Sequence, residues 1–298
     1  MSVIYTKIDD VSQIDKKKFE TENWYLMNWG MGDAINATLF LESQSPVPYK
    51  ILCRPAVFTA VKFILENFVE TPKCQVVKVF PIQCGYPIDQ DEVLMSKDGF
   101  GPHSIDQAHL LGRLKIMHFP PRDWWAVQKL EESGILNKIH QYDSVEKTIE
   151  EKTCILFPEA GDNFQLDDSF WESIVEHVTK KEYKVYVNWT SKTDAFLYQK
   201  IFKNTEKYDK IELKDLCDSL VKYKNLVTIG QRTGIFDFLK FFEFRKIQFY
   251  ADLENLNRSD PTRALYEWCH LENDIYTKNN IEIKLSQYKP EILDLIIP

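Results

Sequence analysis

Short apolar runs alternate along this chain with longer stretches in which apolar residues recur every three or four positions. The runs at 24–29, 49–53 and 75–80 in the first half, and at 154–158, 184–188, 226–230 and 247–250 in the second, read as buried strands. Between them, Val57, Val61, Ile64, Leu65 and Phe68 mark one face of a helix. Ala34, Ile35, Ala37, Leu39, Phe40 and Leu41 give a further helix pattern that stops at the breakers Ser45, Pro46 and Pro48, and Phe170, Ile174 and Val178 share one face behind a cap at Asp167 or Asp168. Leu213, Leu216, Cys217, Leu220 and Val221 form another such face. Further helices are expected at 104–114, 123–133, around 195–202, at 234–242 and at 262–272, with a short one at 14–19 inside an otherwise polar lead-in, 1–20. Gly85, Pro87, Gly99, Gly101 and Pro102 loosen the pattern over 81–101 into a long loop.

Strand and helix in alternation imply parallel sheets. A length of 298 residues favours two domains of ordinary size. The charged stretch 144–152 is a natural linker. The expected organisation is therefore α/β, with two Rossmann-like parallel-sheet domains, 1–148 and 149–298, facing across a cleft. The tail, 281–298, is expected to pack back on the first domain.

Composition narrows the function classes. Net charge is −8, which argues against non-specific nucleic-acid binding but leaves room for a local cationic pocket. The cysteines at 53, 74, 84, 154, 217 and 269 have no CxxC spacing and read as reduced thiols of a cytoplasmic protein. The N-terminus lacks the basic start and apolar core of a signal peptide, and no window is long and apolar enough to span a membrane. Peripheral contact with the inner face of a membrane stays open. No metal ligand set, P-loop or GxSxG elbow is present, so neither a metal nor another cofactor is expected. Trp124 and Trp125 suit packing better than sugar stacking.

The chemistry concentrates at strand ends, where parallel sheets bind ligands. After the first run come Gly30, Met31, Gly32 and Asp33. The glycines allow a tight turn and close approach of a ligand. Asp33 either caps the following helix or takes a proton as a general base. A third glycine of a dinucleotide fingerprint is missing. After the run at 226–230 come Arg232, Thr233 and Gly234, with Asp237 three residues later. These offer a guanidinium, a hydroxyl and an N–H to an anion, or else a capped helix start with a surface ion pair. Gly161, Asn163 and Gln165 lie in a third such loop and suit phosphate or sugar hydroxyls as well as solvent.

Several of these segments resemble the heptosyltransferase-like glycosyltransferases of the GT-B type. Residues 28–41, with Gly32, Asp33, Ala34 and Ala37, resemble that family's N-terminal turn, whose aspartate is the base on the acceptor hydroxyl; the role maps onto Asp33. Residues 155–161 are similar to its strand-to-loop element, and Trp171 and residues 183–188 to the helix and strand that follow. Leu213 and Leu216, leading to Arg232, Thr233 and Gly234, are similar to its donor-phosphate turn. Two departures stand out. The family's proline and histidine after that turn are replaced by Ile235, Phe236 and Asp237, and Arg232 stands where the family often has an aspartate.

The resemblance implies a metal-independent transferase. It would move a sugar from a nucleotide-diphosphate donor, held by the second domain, to a saccharide or glycolipid acceptor, in bacterial surface-glycan synthesis. Asp33 would be the base, with Gly30 and Gly32 on the acceptor side. Gly161, Asn163, Gln165, Arg232, Thr233, Gly234 and Asp237 would meet the donor. Two alternatives stay open: a pyruvyltransferase-like enzyme, which would need more cations than Arg232, and a catalytically degenerate partner of an active transferase.

Overall fold

The structure, a computed structural model, describes residues 4–8, 24–27, 31–45, 47–53, 55–72, 74–79, 115–116, 127–158, 166–188, 202, 205–210, 212–231, 233–250 and 279–298. The expected helices at 14–19, 104–114 and 262–272, the long loop at 81–101 and most of the expected helix at 195–202 lie outside these residues. The chain forms two compact units, Met1–Lys138 and Ile139–Pro298.

In the first unit the described elements are β1 (Ile4–Ile8), β2 (Trp24–Met27), α1 (Met31–Gln44), β3 (Tyr49–Cys53), α2 (Pro55–Phe68), β4 (Cys74–Val79), β5 (Lys115–Ile116), α3 (Val127–Glu132) and α4 (Ile135–Asp143), which runs on into the second unit. The five strands lie in the order β1-β4-β3-β2-β5, every pair parallel. Ala34, Ala37 and Leu41 of α1 and Val57, Val61 and Leu65 of α2 pack with Tyr49, Ile51, Cys53 and Cys74 in one cluster. The helix spacing in the sequence therefore marks the buried face correctly. The Tyr49 hydroxyl donates to Glu42 Oε1 at 2.7 Å, tying the end of α1 to the strand that follows it. Gly134 adopts φ +77 just past α3, a conformation that strains any residue with a Cβ, and lets the chain turn into α4.

The lead-in is not all loop. Ile4–Ile8 pairs with β4 along its whole length, from Ile4 opposite Gln75 to Ile8 opposite Val79. An edge strand has one neighbour, so its sequence can stay mixed and escape a search for apolar runs. The helix α1 begins earlier than the apolar pattern, at Met31, so Gly32 and Asp33 belong to its first turn rather than to the turn before it.

The second unit contains β6 (Thr153–Phe157), α5 (Asp168–Lys180), β7 (Lys184–Asn188), β8 (Glu206–Tyr208), α6 (Leu213–Leu220), β9 (Leu226–Gln231), α7 (Phe236–Leu239), β10 (Arg245–Tyr250), β11 (Asn280–Lys284) and α8 (Pro290–Ile296). Its six described strands are again parallel, in the order β11-β10-β9-β6-β7-β8. From β6 the chain winds outward through β7 and β8. It then returns to the other side of β6 with β9 and winds outward again. The neighbours β6 and β9 thus flank the switch point of a doubly wound sheet.

Asp167 caps α5, its carboxylate accepting from the Phe170 amide at 2.8 Å. That bond, with one from Ser169, holds the Asp167 carboxyl below the usual carboxylate range. Trp171, Ile174 and Val178 form the buried face of α5, while Phe170 is partly buried and packs edge-on to Phe249 with ring centroids 4.8 Å apart. Residues 144–152 sit within this unit: the Ile149 amide donates to Lys222 O at 2.9 Å, and Ile149 forms a parallel bridge with Tyr223. The expected helix at 234–242 shrinks to four residues. Phe236, Phe238, Phe241 and Phe242 are all buried, which one face of a helix cannot achieve. The chain instead coils more tightly, with Phe241 N donating to Phe238 O and Phe242 N to Leu239 O. The tail, expected on the first unit, is built into the second. Strand β11 pairs with β10, and Leu293 and Ile297 join the core around Trp171 and Phe249.

Cys53, Cys74, Cys154 and Cys217 are buried, and none of the four is in a disulfide. Burial pushes the Cys154 thiol up, which makes it a poor nucleophile.

Candidate functional site

Strand β9 is buried at each of its six positions, because β6 and β10 flank it in the middle of the sheet. Gly230 is its informative residue. A Cβ there would lie 2.7 Å from Phe236 Cε2 and 2.9 Å from Phe157 Cβ. The missing side chain lets the Phe236 ring fold back over the strand, edge-on to Phe157 with centroids 5.5 Å apart. The turn after β9 is thereby pressed onto the end of its own strand.

The next residue, Gln231, is 1% exposed. Its Nε2 donates to Pro158 O at 2.6 Å. Pro158 is the first residue beyond β6, so this bond crosses the switch point and joins the end of β9 to the end of β6. Gln231 Oε1 is buried without a hydrogen-bond partner, and so is Thr233 Oγ1. Buried polar atoms are nearly always paired, and an orphan costs about 1–3 kcal/mol. Thr228 Oγ1 within β9 and both amide atoms of Gln248 on β10 are buried and unpaired too; what sets Gln231 and Thr233 apart is their place at the C-terminal end of a strand that flanks the switch point, where open α/β sheets hold ligands. The Thr233 carbonyl accepts from Phe236 N at 3.0 Å, which starts the aromatic turn. Gly234 and Asp237 are half-buried in that turn, with Asp237 in the first turn of α7.

On the neighbouring strand β7, Asn188 Nδ2 donates to Tyr208 O at 3.2 Å and Lys210 O at 3.0 Å, fixing the chain as it leaves β8. At the opposite, N-terminal end of the sheet lies a buried ionic group. Asp143 accepts from Lys147 Nζ at 3.2 Å and from the Glu243 amide at 2.6 Å. Lys246 Nζ donates to Phe242 O, and to Phe244 O at 2.6 Å. Burial pushes the Lys246 ammonium down to about 7, against the pull of Asp143 and Glu243. This group anchors the far end of the aromatic turn and lies away from the switch point.

Of the residues picked from the sequence, Thr233, Gly234 and Asp237 fall together on this turn. Gly32 is buried in the first turn of α1, and Asp33 is the third residue of that helix. In the first unit β2 lies between β3 and β5, so α1 starts at that sheet's own switch point. Arg232, Gly30, Gly161, Asn163, Gln165 and the Asp33 side chain lie outside the described residues. Sequence reasoning passed over Gln231, whose only signal was a polar residue at the end of a buried run, and Gly230, whose signal was a glycine inside a strand. Among the described residues, no three His, Cys, Asp or Glu side chains are grouped so that they could hold a metal ion. No described helix is long and apolar enough to cross a membrane.

Solved heptosyltransferase structures align with this chain over nearly its whole length. The structure of E. coli heptosyltransferase WaaC with ADP aligns with a TM-score of 0.52 over 93% of this chain and 96% of its own, at 11% identity. The chain has the fold of the heptosyltransferases. WaaC with ADP-2-deoxy-2-fluoro heptose gives 0.53 over 93% and 98% at 12% identity. E. coli ADP-heptose lps heptosyltransferase II gives 0.50 over 92% and 98% at 10% identity. No family model and no curated protein matches the sequence. At this level of identity the heptosyltransferase fold carries over and the chemistry does not follow from it.

Proposed function

We propose that the protein is a metal-independent glycosyltransferase that moves a sugar from a nucleotide-diphosphate donor to a saccharide or glycolipid acceptor, in surface-glycan synthesis. The observation that carries this reading is the pair of orphaned buried atoms, Gln231 Oε1 and Thr233 Oγ1, at the switch point of the second sheet. That is where open α/β sheets hold their ligands. The fold shared with proteins solved with ADP and an ADP-sugar analogue supports it.

In this reading Asp33, at the start of α1, takes the proton of the acceptor hydroxyl. The hydroxyl oxygen then bonds to the anomeric carbon of the donor sugar. The bond from that carbon to the diphosphate breaks, and its electron pair leaves with the diphosphate. Arg232, the Thr233 hydroxyl and the Gly234 amide stabilise that charge, as preorganised donors do where charge develops. Gly161, Asn163, Gln165 and Asp237 contact the rest of the donor, and Gly30 and Gly32 leave room for the acceptor. The absent proline and histidine after the turn favour one other reading, a non-catalytic partner subunit of an active transferase.

One pair of measurements separates the two. Millimolar ADP, GDP, UDP or CDP should raise the melting temperature of the wild type, since about 2.7 kcal/mol is gained at a hundred times Kd. Asp33→Asn should keep that shift and lose about 10²–10⁴-fold in release of nucleoside diphosphate from the matching nucleotide sugar. A variant that turns over like the wild type makes Asp33 a helix cap. A wild type that binds nucleotide without turnover is the partner subunit. Absence of a shift with every nucleotide overturns the proposal.

A further inference from the structure

We infer that Gln231 reads a hydrogen-bond donor on the nucleoside of the bound sugar donor, with its amide held in the reading orientation by Pro158. The inference rests on the proposed function and sharpens it, because it assigns a specificity role to a residue that the transfer chemistry does not need.

The orientation follows from hydrogen-bond valence. Pro158 O can only accept, so the group that faces it at 2.6 Å must be the amide nitrogen. The Gln231 amide therefore cannot turn over without placing two acceptors against each other. Its Oε1 is left facing away from Pro158, buried and without a partner. With the side chain 1% exposed, solvent does not reach that oxygen freely.

An amide oxygen accepts and never donates. Its missing partner must carry N–H or O–H. The diphosphate of a nucleotide sugar is esterified at both ends and carries no proton at neutral pH, so the phosphates of the donor cannot satisfy Gln231. Thr233, whose hydroxyl is also orphaned, can donate and is the residue suited to them. The two neighbours thus divide the work by valence, Thr233 toward the charge and Gln231 toward a hydroxyl or amine beside it. Gln231 belongs to the unit that takes the nucleotide, so the group it meets is a ribose hydroxyl or a base N–H. A site built to accept a hydrogen bond discriminates strongly against ligands that lack the donor, because its own polar atom is then stranded.

The test is titration calorimetry on the full chain. ADP, GDP, UDP and CDP identify the nucleotide bound. Its 2′-deoxy and 3′-deoxy forms and a base analogue without exchangeable N–H groups are then measured, with inorganic diphosphate as the control. One deletion should weaken wild-type binding on the order of tenfold, the difference that one hydrogen bond makes. Gln231→Met should weaken the parent nucleotide by a similar factor, be indifferent to that same deletion, and bind inorganic diphosphate as the wild type does. A structural tether only would show as equal losses for nucleotide and inorganic diphosphate, or as analogue penalties unchanged in the variant; either overturns the inference. Should Gln231→Met not fold, the wild-type series decides alone, and a series with no sensitive position overturns it. A wild type that binds no nucleotide overturns the transferase reading itself. A wild type that binds nucleotide while Gln231→Met binds it equally well overturns this inference only.

Discussion

Lys246 shows how much one residue's setting matters in this sheet. It is fully buried, and its ammonium is served by the carbonyls of Phe242 and Phe244 with Asp143 nearby. Desolvation lowers it from 10.5 to about 7 in the folded protein, with Asp143 and Glu243 opposing the shift. The unfolded chain therefore keeps the proton at pH values where the folded chain has released it. Between about 7 and 10.5 the unfolded state binds more protons, so this residue makes stability rise with pH across that window. Below 7 both states are protonated and the contribution is flat. Lys246→Met should remove that part of the rise, read as urea midpoints of the two proteins from pH 7 to pH 10. Parallel pH profiles for wild type and variant would show that Lys246 keeps its ordinary affinity for a proton. Lys147, which pairs with Asp143 at 3.2 Å, keeps that carboxylate occupied in both proteins.

At the scale of elements, β9 and the aromatic turn behind it act as one piece. Gly230 lets Phe236 lie on the strand, and a methyl group there would stand 2.9 Å from Phe157 Cβ, a backbone-proximal atom with little freedom to move. Gly230→Ala should destabilise the protein by about 1–3 kcal/mol through overpacking. Equilibrium denaturation measures it, and an unchanged midpoint would mean that the turn yields without strain. The same element marks where sequence reading stops. The described strands with neighbours on both sides (β2, β3 and β4 in one sheet, β6, β7, β9 and β10 in the other) were all legible, because each carries a short apolar run, as interior strands of a parallel sheet do. The strands with one neighbour among the described residues, β1, β5, β8 and β11, were not, because such positions permit mixed sequences such as Glu206, Lys207 and Tyr208. The strand end and the turn that carries Thr233, Gly234 and Asp237 were legible as local structure. Gln231 was not, since an amide at the end of a run looks like the start of a loop until the strand order sets it beside Pro158.

At the scale of the whole molecule, the described part of the second unit is a doubly wound sheet into which β11 and α8 are packed. Strand β11 pairs with β10 along its length. Lys181 Nζ donates to Ile297 O, and to Asp294 O at 3.1 Å, while the Tyr183 hydroxyl donates to Pro298 O at 3.2 Å. These contacts fasten the tail to the end of α5. The account itself depends on a nucleotide entering where the C-terminal ends of β6 and β9 lie side by side. Hydrogen exchange of the full chain, with and without a saturating nucleoside diphosphate, tests this most directly. The account predicts slowed exchange in the peptides that cover 158–165 and 231–240, with the strand interiors of β6 and β9 already protected in both states. Binding that leaves those two segments unchanged, or that protects only the first unit, would contradict it.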